Sequence, residues 1–202
     1  MSRQDFGDLE KFANQIQGAS KRPLLDFYDE VIRLLAKENI ALAGGLALSA
    51  HGIVRMTEDL DLVAVATNGI EEKLMAAGFI RSSAFSLNRG GLEIVRYMKD
   101  DRLLDLMLYT DKALVSELLD NAKPATVLGQ KLNVLSADGL ALTKLISFRP
   151  QDFADLVKLA PKLNREYLTT WAKKLKIPAD RIVKTFKEAA LSNYPTLKKI
   201  LT

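Results

Sequence analysis

The chain has 202 residues, 48% of them hydrophobic and 27% charged, enough to bury a core in one domain with an appendage or in two small domains. It contains no cysteine, which excludes disulfides, thiolate zinc sites and cysteine nucleophiles. The net charge of +4 is modest, no apolar run reaches the ~20 residues that span a bilayer, and the start Met1-Ser2-Arg3-Gln4-Asp5 has no signal-peptide layout. A cytoplasmic protein with no membrane partner is expected.

In chain order, apolar periodicity predicts amphipathic helices over about Asp5–Gln17 and Pro23–Glu38, leading into a strand at Ile40. The diglycine Gly44-Gly45 and a short helix from Leu46 follow, and then a strand that begins at Asp59. A helix near Ile70–Ala77 is stopped by Gly78. Alternating runs at Phe79–Leu87, Leu92–Met98 and Leu103–Tyr109 read as strands, with Asn88-Arg89-Gly90-Gly91 as a hairpin turn and Asp100 and Asp101 as exposed turn residues. A helix over Asp111–Asn121 and a short hairpin around Gly129 complete the unit. Beyond Ser136 the pattern is helical, punctuated by Pro150, Pro161, Pro178 and Pro195. The expected fold class is therefore α/β, a mixed central sheet flanked by helices (residues 1–135), followed by a C-terminal helical domain (136–202).

The chemistry concentrates between Gly44 and Asp61. Side chains two apart on a strand share a face, so Asp59 and Asp61 point one way while Leu60 and Leu62 point into the core. Two aligned carboxylates attract a hard divalent cation. The diglycine lets backbone N–H groups approach an anion with no Cβ in the way. The plainer alternative is a turn and an N-capping acid. Asp105 is the only acid inside its strand, on the face opposite Leu104 and Leu106. It either joins Asp59 and Asp61 or is a strand acid paired with a nearby Arg. In the helical part, Leu140, Lys144 and Ser147 recur at helical spacing, so Lys144 can reach inward from an apolar surface or simply snorkel. Arg55 and Thr57 either contact phosphate or cap the turn before the strand. His51, the one histidine, reads as a packing or hydrogen-bonding residue.

The order of these elements resembles the first motif of the DNA polymerase beta-like nucleotidyltransferase superfamily, a Gly-Gly turn and short helix before Asp-x-Asp. The closer likeness is to a bacterial branch reading Gly-Gly-x-Ala, then His-Gly-x-x-Arg-x-Thr-x-Asp-Leu-Asp-Leu. That branch contains the AbiEii-like toxins of AbiE-type abortive-infection systems. Gly44, Gly45, Ala47, His51, Gly52, Arg55, Thr57, Asp59, Asp61 and Leu62 match it. Downstream, Lys144, Arg149, Asp152 and Asp155 match a second motif of the same branch, with Gln151 where Lys is usual.

The resemblance implies a nucleotidyltransferase that moves NMP from an NTP to a hydroxyl. It implies Asp59, Asp61 and Asp105 as ligands of magnesium, in a two-ion site that manganese could also fill. Asp105 would also activate the attacking hydroxyl. Gly44, Gly45, Arg55, Thr57, Lys144, Arg149 and Asp152 would contact the nucleotide, with Lys144 neutralising triphosphate charge. The implied acceptor is RNA, in particular a tRNA 3′ end, and the implied protein partner is an antitoxin. A small-molecule acceptor such as an aminoglycoside is the alternative within the same chemistry, and a non-catalytic nucleotide- or RNA-binding protein the alternative outside it. From Lys158 onward, 11 Lys and Arg face only Glu166, Asp180 and Glu188, which suits either a polyanion or a solvated set of helix faces.

Overall fold

The structure is a computed structural model that describes residues 24–55, 57–65, 68–87, 91–127 and 130–193. The helix expected over Asp5–Gln17, the tip of the hairpin at Asn88–Gly90 and Gly129 lie outside the described residues. The chain divides into two compact units, Met1–Ser136 and Ala137–Thr202.

The first unit is built on a sheet. Helix α1 (Leu24–Leu34) buries Leu24, Phe27, Tyr28 and Val31, a stripe at i, i+3, i+4 and i+7, and pairs Asp29 with Arg33 on its outer side. It is shorter than the periodicity predicts and ends in hydrogen-bonded turns through Glu38. Strand β1 (Ile40–Leu42) follows, then α2 (Gly44–Ala50), β2 (Asp59–Val65) and α3 (Asn68–Ala76). Strands β3 (Ile80–Leu87), β4 (Leu92–Lys99) and β5 (Arg102–Tyr109) form a meander. Helix α4 (Lys112–Asp120) is capped by Asp111, whose carboxylate accepts from the N–H groups of Ala113 and Leu114, and the hairpin of β6 (Lys123–Val127) and β7 (Gln130–Val134) closes the unit.

The seven strands make one mixed sheet in the order β3-β4-β5-β2-β1-β7-β6. Two pairings are parallel, β2 with β5 and β1 with β7, and the rest are antiparallel. This is the α/β arrangement with a mixed sheet that the sequence predicts. Helix α4 packs on β2 and β5, and α2 packs on β2. The central strands carry the core, with Leu60, Leu62, Leu104 and Leu106 buried, while β3 is exposed along nearly its whole length and presents serines and an arginine at the sheet edge. Between β4 and β5, Asp100 and Asp101 both adopt left-handed backbone, φ 51° and 63°, the conformation a two-residue hairpin turn demands and aspartate tolerates.

The second unit is helical. Helix α5 (Ala137–Ser147) is buried from Gly139 to Ile146 and packs on α6 (Pro150–Leu159) and α7 (Arg165–Lys174), while α8 (Ala179–Asn193) packs on α6 and α7. Phe148 turns the chain between α5 and α6 with φ 50°, and Pro150 opens α6, where its missing N–H costs nothing. Arg181 steadies that turn. Its guanidinium stacks on the Phe148 ring at 4.5 Å and donates to the carbonyls of Leu145 and Ile146. Among the described residues no helix is long and apolar enough to cross a membrane.

Candidate active site

The register of three neighbouring strands gathers the acids. Asp61 of β2 lies opposite Asp105 of β5 in the parallel pair, and Asp105 lies opposite Arg96 of β4 in the antiparallel pair. Asp61, Asp105 and Arg96 therefore form one row across the sheet, and Asp59 stands two residues away on the same face of β2. The opposite face, carrying Val95, Tyr97, Leu104 and Leu106, is core.

Arg96 was not singled out in the sequence, and it organises the row. Its Nε donates to Asp105 Oδ1 at 2.7 Å and its Nη2 to Asp105 Oδ2 at 2.7 Å, a two-pronged fork, while the same Nη2 reaches Asp59 Oδ2 at 3.2 Å. The signal was available. Counting outward from the two-residue turn at Asp100 and Asp101 pairs Lys99 with Arg102 and brings Arg96 to Asp105. The side chain of Asp105 is only 10% exposed, against 33% for Asp59 and 37% for Arg96. Burial, and then the charge of Asp105, push the Asp59 carboxyl above its ordinary value even though Arg96 pulls it down. The fork to Asp105 in turn raises the Arg96 guanidinium further.

The diglycine has a packing explanation. Gly44 has φ +59°, and a Cβ there would fall 1.7 Å from Asp61 Oδ2; a Cβ on Gly45 would fall 2.7 Å from Thr57 Cβ. The missing Cβ atoms let Asp61 and Thr57 come close to the start of α2. The Ala43 N–H donates to the Asp61 carbonyl at 2.8 Å, which ties the same corner through the backbone. Thr57 Oγ1 donates to the Asp59 carbonyl at 3.3 Å, holding the entry to β2, and Arg55 stands in the preceding loop, half-buried. His51 bonds through Nε2 to the Leu135 carbonyl at 2.8 Å, a structural tether.

Asp59, Asp61 and Asp105 bring carboxylate oxygens together on one face of adjacent strands, and hard oxygen donors are what magnesium takes. Tyr28 lies close enough to feel the charge of Asp61 and Asp59. Its hydroxyl is buried with no hydrogen-bond partner among the described residues, and its pKa is raised by burial and by the charges of Asp61 and Asp59. The donor set therefore fits a divalent cation in kind. It is not preformed in arrangement, since among the described residues no group of three acids is set as a metal cage.

The remaining expected residues lie in the helical unit. Lys144 is buried, its Nζ 2.7 Å from Asp155 Oδ2 and 3.6 Å from Asp152 Oδ1. Asp152 also accepts from Ser147 at 2.8 Å and from the Arg149 backbone N–H and Nε at 3.0 and 2.9 Å, as the acid of a capping box. Burial would push the Asp152 carboxyl up, but the bonds from Arg149 and Ser147 and the Lys144 charge hold it below its ordinary value. The expectation that Lys144 neutralises a triphosphate meets this geometry badly, because its ammonium already answers two buried carboxylates. Lys144, Arg149, Asp152 and Asp155 are brought together in one network that joins the two helices.

No family model matches the chain, and no curated protein matches it. Among solved structures it is similar to an antigenic nucleotidyltransferase-like protein from Paracoccidioides brasiliensis, at 17% identity over 89% of this chain and 92% of that one, with a TM-score of 0.49. It is similar also to ANT(2″)-Ia, seen in complex with adenylyl-2″-tobramycin, at 14% identity over 84% of this chain and 98% of that one, TM-score 0.46. A third likeness is to Cid1, seen with ApU, at 16% identity over 75% of this chain and 43% of that one, TM-score 0.30. Chains this distant assign no residue its role.

Proposed function

We propose that the sheet unit is a metal-dependent nucleotidyltransferase that transfers an NMP group from an NTP to a hydroxyl and releases pyrophosphate. The observation that carries the reading is the acid row: Asp61 opposite Asp105 on adjacent parallel strands, with Asp59 on the same face. Asp59, Asp61 and Asp105 would hold magnesium, as one or two ions, with manganese able to substitute. When bound, the metal supplies neutralisation of charge on the phosphate oxygens. Asp105 accepts the proton of the attacking hydroxyl at a carboxylate oxygen. Asp61, held against Gly44, fixes the position of the row, and Arg55 and Thr57 border the nucleotide.

The favoured acceptor is RNA, and a tRNA 3′ end is its natural form. Residues 137–202 carry 13 Lys and Arg against 6 Asp and Glu, whereas residues 1–136 carry 16 against 19. A net +7 in the helical unit suits a polyanion. A toxin role with an antitoxin partner follows from the AbiEii-like resemblance and is proposed with it. The second reading, a non-catalytic nucleotide- or RNA-binding protein, is favoured by one observation: both oxygens of Asp105 are already engaged by Arg96.

The test is incubation with each α-labelled NTP, magnesium and total bacterial RNA, comparing wild type with Asp59→Ala/Asp61→Ala. Label on RNA from wild type alone is the expected result and names the nucleotide. Label on an aminoglycoside instead of RNA would replace the acceptor. Absence of transfer with magnesium-dependent NTP binding intact would favour the non-catalytic reading.

A further inference from the structure

We propose that Arg96 is an internal counter-ion that competes with the divalent cation for Asp105 and Asp59, and that an arriving triphosphate releases the acids by drawing the guanidinium to itself. The inference rests on the reading of the three acids as a cation site. It adds a coupling: the nucleotide-free protein binds a divalent cation weakly because the place is held by an arginine.

The argument is one of geometry and charge. Arg96 meets Asp105 through both prongs at 2.7 Å and Asp59 through one at 3.2 Å. A single guanidinium thus bridges two of the three acids and balances a charge that would otherwise repel itself across two strands. A divalent ion placed among the same oxygens would stand within a few ångströms of that guanidinium, where like charges repel strongly in a partly buried site. Either the ion binds weakly or Arg96 moves. The side chain can move, since it is 37% exposed and leaves from the middle of β4, whereas Asp105 is 10% exposed and fixed on the central strand β5. The group able to take Arg96 is a polyphosphate, which accepts the same planar fork that carboxylate accepts. Arg96 is then a positioning residue that couples the two ligands, and linkage makes the coupling reciprocal.

The experiment measures Mn2+ binding directly, by the loss of the free-ion paramagnetic resonance signal, on wild type, Arg96→Gln and Arg96→Lys. Each is measured alone and with the α,β-methylene analogues of the nucleoside triphosphates, and circular dichroism confirms the fold. The expected result is that Arg96→Gln binds Mn2+ without nucleotide about tenfold more tightly than wild type while binding the analogue without metal about tenfold more weakly. Arg96→Lys, which keeps the charge and loses the fork, falls between. A merely structural arginine predicts the reverse for the metal, because acids that lose their support would bind Mn2+ more weakly. Equal or weaker Mn2+ binding in folded Arg96→Gln, or in Arg96→Lys if the glutamine variant does not fold, overturns the proposal and leaves the cation site standing. No Mn2+ binding by any form, with or without the analogue, overturns the cation site as well.

Discussion

Each unit of the molecule holds a cluster of charged side chains, and the two clusters are built on opposite rules. In the helical unit Lys144 and Arg149 face Asp152 and Asp155, two charges of each sign, and the side chains of Lys144, Asp152 and Asp155 are at most 5% exposed. In the sheet unit Asp59 and Asp105 share Arg96, and the side chains of Asp59 and Arg96 are about a third exposed. Burial acts on both. It wins at Asp59, whose carboxyl is raised, and loses at Asp152, where the bonds from Arg149 and Ser147 and the Lys144 charge lower it. A balanced, buried cluster fastens helices together. On the proposed reading, the half-open one is kept for a ligand.

The largest effect expected from that contrast is on activity. Asp61→Ala or Asp59→Ala should reduce NMP transfer by on the order of 10³-fold, the scale lost when a pre-placed charge is removed from a reacting centre. Both variants should remain folded by circular dichroism. Transfer that persists in Asp61→Ala would remove the acid row from the reaction altogether.

The matched cluster should answer in stability instead. Lys144→Met leaves Asp155 and Asp152 buried without their ammonium and should cost about 3–5 kcal/mol, read from urea unfolding of the helical signal. Adding Asp155→Leu to Lys144→Met should recover most of that loss, since an apolar pair of similar size can replace a buried ion pair. If Lys144→Met instead keeps its stability and loses nucleotide affinity, Lys144 belongs with the ligand and the contrast between the clusters fails. Gly44→Ala comes next. It forces alanine to φ +59° and puts a methyl onto Asp61, for about 1–3 kcal/mol, with a parallel drop in transfer as Asp61 is displaced.

Much of the sheet unit was legible because its signals are local. Period-two alternation marked β4 and β5, the pair Asp100-Asp101 marked their turn, and Asp59-Leu60-Asp61 declared which side of β2 is wet. Even Arg96 opposite Asp105 follows from a two-residue turn. What could not be read was the partnership of β2 with β5. Parallel strands meet through a long crossover, here spanning α3, β3 and β4, and no local pattern fixes their register. In the helices the difficulty was of another kind. Lys144, Arg149 and Asp152 have the same sequence spacing whether they grip a phosphate or one another, and their contacts with one another, Lys144 to Asp155 and Ser147 to Asp152, appear only in three dimensions.

The smallest expected effect is also the one that separates the clusters by sign. Asp152 has a lowered carboxyl in the folded protein, so its contribution to stability is present above the unfolded value near ~3.9 and is lost as pH falls through the folded one. Asp59 has a raised carboxyl. Its folded form holds the proton more tightly than the unfolded chain does, so it weakens the protein above the folded value, and this penalty fades as pH falls from there toward ~3.9. Asp152→Asn should therefore lower the thermal midpoint at pH 7, and Asp59→Asn should raise it. Both differences should shrink toward pH 3. A lowered midpoint for Asp59→Asn at pH 7 would mean that the bond from Arg96 outweighs burial at Asp59. Asp59 would then be a settled ion-pair partner of Arg96, as Asp152 is of Arg149.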